Sequence, residues 1–113
     1  MAGLIEFSDD VIWYSADSPW RAVVSGADAY LDDPGAREAL AAALDEQALF
    51  FPVIAAPAAL PLLRALDRSV VRLMAELINA APPEGRDDGQ LDHYAELRSM
   101  IRGELALSPG PPP

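Results

Sequence analysis

The sequence predicts a mainly α-helical, compact domain with three or four helices and a short β-hairpin at its N-terminus. Apolar residues recur at helical spacing along most of the chain, and proline together with capping residues marks the start of several helices. Two short runs near the N-terminus are instead rich in β-branched and aromatic residues, which favour strands. A third strand added to the hairpin would make the fold α+β.

The predicted hairpin joins Leu4–Phe7 to Val11–Tyr14 through the turn Ser8-Asp9-Asp10. An isolated two-stranded hairpin is only marginally stable in water. We therefore expect the hairpin to pack on the helices or to pair with another strand.

The first helix is predicted to start at Asp17-Ser18-Pro19. Ser18 can accept a backbone N–H as the N-cap, and Pro19 fits the first turn, where no backbone donor is required. Apolar residues then follow at helical spacing, namely Trp20, Val23, Val24, Ala27 and Leu31. Because Gly26 and the paired valines weaken this pattern, a third strand over Arg21–Ser25 is the alternative.

The pair Asp33-Pro34 marks a second helix, predicted over Ala36–Phe50 because this stretch is rich in strong helix formers. Its apolar stripe consists of Leu40, Leu44, Ala48 and Phe51. Pro52 disfavours helical geometry at the preceding residue and is expected to end the helix. A short buried strand over Phe50–Ile54 is the alternative.

The clearest amphipathic helix is predicted from Pro61 to about Ala80, with Pro82–Gly85 as its stop. One face of this helix is apolar and carries Leu62, Leu63, Leu66, Val70, Leu73, Met74 and Leu77. A helix with such a face needs a partner surface, so it is expected at the centre of the domain.

The last helix is predicted to begin at Asp87, with Gln90 as its capping-box partner. Its apolar stripe is Leu91, Tyr94, Leu97, Ile101 and Leu105. Residues 1–107 then form a single globular domain, and residues 108–113 form a flexible tail rich in proline and glycine.

The chain of 113 residues has a formal net charge of −10, and its eight basic residues are all arginine. Ten of the 18 carboxylates lie in residues 1–46, so the acidity is concentrated at the front. Direct nucleic-acid binding needs a basic surface and is not expected. A basic protein partner is the simpler inference, although acidic surfaces are also common because they keep proteins soluble.

The chain contains no cysteine, which excludes disulfides, a thiolate nucleophile and cysteine-based metal sites. Abundant alanine without lysine is typical of a bacterial genome of high GC content. Because the N-terminus lacks the basic start and long apolar core of a signal peptide, we expect a cytoplasmic protein.

An uncharged segment, Ala48–Leu63, is interrupted by Pro52, Pro57 and Pro61. A membrane-spanning helix needs roughly 20 continuous apolar residues, so no membrane span is predicted. Where such a segment is exposed it is typical of an interface, and we expect homo-oligomerisation through it. The interface candidates are Phe50, Phe51, Val53, Ile54 and Leu60.

Motifs for nucleotide binding, for a nucleophile elbow and for zinc proteases are all missing from the sequence. The single histidine, His93, shares a helix face with Glu96, and Asp28 shares one with Asp32. A carboxylate-bridged dimetal centre needs a Glu-x-x-His motif on each of two helices. We therefore expect no metal, no cofactor and no catalytic function.

Arg64, Arg68 and Arg72 follow one another at a spacing of four residues and form a ladder on one helix face. Like charges at this spacing repel each other unless they are compensated. Pairing with the acidic first third of the chain is the favoured interpretation. The alternative is a site for an anion or an acidic partner, which requires this face to be uncovered.

Asp67 and Arg98 each fall on the apolar side of a predicted helix. Because an unpaired buried charge is costly, we expect them to meet where the last two helices pack. The favoured interpretation is a structural ion pair. The alternative is a polar point in a pocket that also contains Tyr94 and His93, with Trp13 or Trp20 as walls.

The function predicted from these observations is non-catalytic protein binding, as an adaptor, an accessory subunit or a neutralising partner of the immunity or antitoxin type. The missing catalytic motifs, the acidic front and the uncharged segment support it. The alternative is a small-molecule-binding or enzyme module around Asp67 and Arg98. A concave cluster of Asp67, Arg98, Tyr94 and His93 would favour this alternative, and scattered positions would favour protein binding.

Overall fold

The computed structural model describes residues 2–54, 56–80 and 88–107, which pack around one hydrophobic core. Four α-helices and three strands form in this part of the chain. They are β1 (Ala2–Ser8), β2 (Val11–Ala16), α1 (Asp17–Ala27), α2 (Pro34–Glu46), β3 (Ala48–Phe50), α3 (Ala56–Ala80) and α4 (Asp88–Leu107). Short 3-10 turns cover Asp28–Tyr30 and Phe51–Val53. The predicted fold class, mainly α with an N-terminal hairpin, is confirmed, and the hairpin gains a third strand.

The sheet has the strand order β2-β1-β3, with β1 at its centre. β1 and β2 form the predicted antiparallel hairpin, in which Ile5 lies opposite Trp13. β3 pairs with β1 in parallel, with Ile5 opposite Leu49. The sequence placed a third strand at Arg21–Ser25 or at Phe50–Ile54, and both placements are wrong. Pairing with β1 instead makes Ala48–Phe50 the third strand.

The start of α1 differs from the prediction. Ser18 is not the N-cap: Ala16 holds that position without a side-chain hydrogen bond, and Asp17 lies in the first turn. The Oδ1 atom of Asp17 lies 3.4 Å from Nη2 of Arg21, one helical turn further along the chain. The helical spacing of the apolar residues decides against a strand here, because it buries Trp20, Val23, Val24 and Ala27 on one face.

α2 begins as predicted and ends earlier than predicted. The Asp33 carboxylate accepts a hydrogen bond from the Ala36 N–H at 2.8 Å, which caps the helix. At the other end Gln47 has a φ of 57°, a left-handed conformation that stops an α-helix. The following residues then pair with β1, so tertiary strand pairing overrides the helix propensity that suggested an end near Phe50.

α3 begins at Ala56 and not at Pro61, so Pro61 lies inside the helix. Pro57 occupies the first turn, where a backbone donor is not needed, and this proline is the effective start signal. The helix continues to Ala80, the last residue described before residue 88. The stop at Pro82–Gly85, the cap at Asp87 and the tail over residues 108–113 lie outside the described residues.

Two tryptophans fasten the sheet to the helices, and both are fully buried. Trp20 on α1 packs its ring against Gly3 and donates its indole N–H to the Leu4 carbonyl at 3.0 Å. Trp13 on β2 donates its indole N–H to the His93 carbonyl of α4 at 3.2 Å. Each tryptophan thus satisfies its polar group while it fills the core.

The crossing of α1 and α3 is also closely packed. Ser69 is buried and donates its hydroxyl to the Val23 carbonyl at 2.8 Å. A Cβ at Gly26 would lie 2.7 Å from the Ser69 Oγ, so the two helices approach where Gly26 has no side chain. This contact holds α3 against the front half of the domain.

Replacing Gly3 with alanine should lower the free energy of unfolding by about 2 kcal/mol. The new Cβ would lie 2.5 Å from Cδ2 of the buried Trp20, so the strand or the indole would have to shift. Gly103→Ala on α4 is the matched control, because its Cβ meets no atom within 4 Å. The control should raise stability by about 0.5–1 kcal/mol through helix propensity. Urea denaturation measures both, and a Gly3→Ala protein as stable as the wild type would contradict this packing.

Candidate functional site

A groove of about 500 Å³ lies between α2 and the segment that follows it. The lining comes from α2, β3, the 3-10 turn and the start of α3. It consists of Gly35, Glu38, Ala39, Ala42, Ala43, Glu46, Ala48, Leu49, Phe50, Val53, Ile54 and Ala58. The groove thus brings the uncharged segment predicted to be an interface together with one face of α2.

The groove exists because α2 presents small side chains on the face that borders it. Gly35, Ala39 and Ala42 repeat at helical spacing and leave the space open that leucines would fill. Sequence reasoning missed this face, since alanine was counted there only as a helix former. The sequence does contain a signal for this face. Alanines and the two glutamates Glu38 and Glu46 recur at helical spacing, so they lie on one side of the helix.

Three of the five interface candidates line the groove. Val53 is 83% exposed, and Phe50 and Ile54 are half-buried and line the same groove. Phe51 is instead a core residue that stacks on Phe7 at a ring distance of 5.4 Å. Leu60 is half-buried and lies outside the groove lining.

The charged side chains in the groove lining are both acidic. Glu38 and Glu46 are exposed, and no arginine or histidine belongs to the lining. An apolar surface bordered by charges of one sign attracts groups of the opposite sign. The groove therefore combines an apolar lining with negative charge at Glu38 and Glu46.

Asp67 of α3 and Arg98 of α4 meet, as the sequence predicted. Arg98 Nε lies 3.6 Å from Asp67 Oδ1, and the side chains of Asp67 and Arg98 are 19% and 38% exposed. This distance exceeds that of a good hydrogen bond. Within the described residues neither of these two shielded atoms has a hydrogen-bond partner. Charge attraction alone therefore holds the pair, and its role as a functional site stays a prediction.

The other two pocket candidates lie apart from this ion pair. His93 stacks on Trp13 at a ring distance of 4.5 Å, between the sheet and α4. Tyr94 is buried and borders a cavity of about 220 Å³ with Leu73 and Leu77.

Arg98 borders a different cavity of about 260 Å³, together with Met74, Ser99 and Arg102. Neither of these two cavities is lined by Asp67 or His93, and Arg98 and Tyr94 do not share one. Trp20, which the sequence also suggested as a pocket residue, donates its indole N–H to the Leu4 carbonyl.

The ladder of Arg64, Arg68 and Arg72 is exposed along α3. Its favoured pairing with the acidic first third of the chain is absent: in residues 2–46 no carboxylate forms an ion pair with it. Arg72 instead pairs with Glu76 of its own helix at 3.2 Å. Hydrogen bonds with Tyr30 and then Glu76 raise the pKa of the Arg72 guanidinium above its ordinary value. A site for an anion or acidic partner at the ladder stays a prediction.

Two further properties concern the described residues alone. Across residues 2–54, 56–80 and 88–107, no cluster of three or more histidine and acidic side chains is arranged to hold a metal ion. None of the described helices combines the length and hydropathy that crossing a bilayer requires.

Comparison with known proteins finds no family model, curated protein or solved structure that matches this chain.

Removing the charge of Asp67 should destabilise the fold. Asp67→Asn and Arg98→Gln should each lower the free energy of unfolding, and a double-mutant cycle should give a coupling of about 1 kcal/mol. The exposed pair Arg72 and Glu76 is the control, for which the coupling should be about 0.3–0.5 kcal/mol. Urea denaturation of all variants decides, and additive effects at Asp67 and Arg98 would show that the pair does not stabilise the packing of α3 on α4.

Because Tyr94 is buried, ionisation of its phenol should lower the stability of the fold at alkaline pH. Burial disfavours the phenolate and raises the pKa of Tyr94, while a hydrogen bond with Gln90 partly opposes this. The raised pKa contributes stability that is fully present below the unfolded value of about 10 and is lost as the pH rises through the folded pKa. The urea midpoint of the wild type should therefore fall more steeply from about pH 9 to about pH 11 than that of Tyr94→Phe.

The matched control for this prediction is Tyr14→Phe, at a residue 65% exposed on β2. Its urea midpoint should follow the pH dependence of the wild type. Identical alkaline slopes for the wild type and Tyr94→Phe would show that Tyr94 does not contribute.

Proposed function

We propose that this protein is a non-catalytic protein-binding domain, and that the groove between α2 and β3 receives an apolar segment of a partner flanked by lysine or arginine. One observation carries the proposal: an apolar groove of about 500 Å³ whose charged lining residues are both glutamates. The choice among an adaptor, an accessory subunit and a neutralising partner, and the cytoplasmic location, remain predictions from the sequence.

The apolar lining supports a protein partner. Val53, which is 83% exposed, adjoins the half-buried Phe50 and Ile54 in the groove, and a contiguous exposed apolar patch is typical of a protein interface. A groove of this kind can accept apolar anchor residues of a partner, which supply most of the binding energy in protein interfaces.

The lining is poorly suited to a small polar ligand. Small-molecule sites contain several convergent polar groups that orient the ligand. Here the polar side chains of the lining are Glu38 and Glu46, on the exposed face of α2. A segment with apolar anchors and flanking positive charges matches this arrangement more closely.

A second copy of the chain is a less suitable partner for the groove. In a symmetric dimer the same surface of both copies meets, which would bring Glu38 and Glu46 close to their own counterparts. The net charge of −10 adds long-range repulsion. Homo-oligomerisation therefore stays a prediction that light scattering can test, and the charge of the groove favours a basic partner.

Selection from a library of short displayed peptides tests the proposal directly. Peptides selected on the full chain should contain apolar residues together with lysine or arginine. Peptides that bind equally well when the groove is filled would contradict the proposal, as would a selection that enriches no peptide.

Filling the groove should abolish binding of the selected peptides. Ala42→Trp places a large ring among the lining residues and should weaken binding at least ten-fold, which corresponds to about 1.4 kcal/mol. Ala41→Trp is the matched control, because Ala41 is exposed on the same helix but does not line the groove. Fluorescence anisotropy of a labelled peptide measures both affinities, and equal losses would show that the groove is not the binding surface.

Removing one acidic charge of the groove should weaken binding of a basic peptide. Glu46→Gln should cost roughly three-fold in affinity at low ionic strength, as for an exposed ion pair. The neighbouring Asp45→Asn removes the same charge from an exposed residue outside the lining and should cost less. The difference should disappear at about 1 M salt, where charges are screened over about 3 Å. A loss that persists there would contradict an electrostatic role.

A further inference from the structure

β3 is an edge strand, and its open edge belongs to the groove. The strand order β2-β1-β3 places β1 on one side of β3, and no further strand follows on the other side within the described residues. All three residues of β3 line the groove. An edge strand presents backbone N–H and C=O groups that can pair with another chain.

The register identifies which backbone groups face the open edge. The Gln47 carbonyl accepts a hydrogen bond from the Leu4 N–H of β1. Backbone groups of successive strand residues point to opposite edges, so Leu49 also faces β1, consistent with its pairing with Ile5. Ala48 and Phe50 therefore direct their backbone groups away from β1.

The 3-10 turn Phe51–Val53 follows directly, and its i→i+3 pattern engages the Phe50 carbonyl. In this register the N–H and C=O of Ala48 and the N–H of Phe50 point to the edge opposite β1, where an added strand would pair with them. This edge is short, which is one of the ways in which natural sheets limit unspecific pairing.

We propose that the partner segment binds as an extended strand that adds to the open edge of β3 and extends the sheet by one strand. This inference rests on the proposed function and specifies its binding mode. The added strand would exchange hydrogen bonds with Ala48 and Phe50, and every second side chain would enter the apolar groove. Its flanking lysine or arginine residues would lie near Glu38 and Glu46 of α2.

The geometry favours a strand over a helix in this place. A helix in the groove satisfies its own backbone and cannot pair with the edge-facing N–H and C=O of Ala48. A strand satisfies them, and its main-chain hydrogen bonds supply affinity while alternate side chains supply specificity. The sequence periodicity of a strand is two residues, and that of a helix is 3.6 residues.

The experiment measures binding of the peptides selected on the full chain after methylation of their backbone nitrogens, one residue at a time. For an added strand, methylation should weaken binding roughly ten-fold at residues whose N–H faces β3. Methylation at the intervening residues should have a smaller effect, which gives an alternating pattern. The apolar anchors of the selected peptides should also repeat every two residues.

Hydrogen exchange on the protein provides a second measurement. The amide of Phe50 should become protected when the peptide binds, while the amide of Leu49, which already pairs with β1, should change little. Fluorescence anisotropy with the Ala41→Trp and Ala42→Trp variants confirms in the same samples that the peptide occupies the groove.

Failure of this inference differs from failure of the proposed function. Binding that Ala42→Trp abolishes, but with anchors at helical spacing and no alternation in the methylation series, would overturn strand addition and leave the groove as the binding surface. Absence of any peptide whose binding depends on the groove would overturn both.

Discussion

Burial of Trp20 against the central strand is the contact on which the arrangement of the molecule depends. Its ring packs on Gly3, and its indole N–H binds the Leu4 carbonyl, so α1 is fixed to β1 at the strand that carries both β2 and β3. Trp13 fixes β2 to α4 in the same way, through the His93 carbonyl. These contacts join segments that are far apart in the sequence, and they set the frame in which the groove forms.

The junction between α2 and β3 forms the groove within this arrangement. Gln47 takes the left-handed conformation that ends α2, and its side chain donates a hydrogen bond to Asp17 at the start of α1. Its carbonyl accepts from Leu4 of β1. Gln47 thus ends α2 and forms hydrogen bonds with both α1 and β1. Because the chain reverses there, α2 and β3 become the two walls of one groove, with small residues on one wall and an open strand edge on the other.

Much of the helical architecture could be predicted from the sequence. The apolar faces of α3 and α4 pointed to their packing, and two charges that broke those faces, Asp67 and Arg98, were expected to meet and do so. A charge on an apolar helix face needs a partner of opposite charge, which makes such an inference possible from one sequence. Exposed charges restrict little: the arginine ladder was expected to pair with the acidic front, and Arg72 pairs within its own helix. Arg98 and Tyr94, both candidates for one pocket, border different cavities, because helical spacing does not fix which cavity a side chain borders.

The sequence by itself determined the features that depend on neighbours along the chain. These are the hairpin, the Asp33 cap, the apolar helix faces and the acidic, cysteine-free composition. Only the tertiary structure decided that Ala48–Phe50 leaves the helix to pair with β1, and that the small residues of α2 face an open groove. The physical reason is that strand pairing joins residues distant in sequence and can exceed the local helix propensity of a short segment. The candidate binding surface lies where helix propensity competes with strand pairing. Its position therefore depends on which strands pair, and the sequence alone does not specify that pairing.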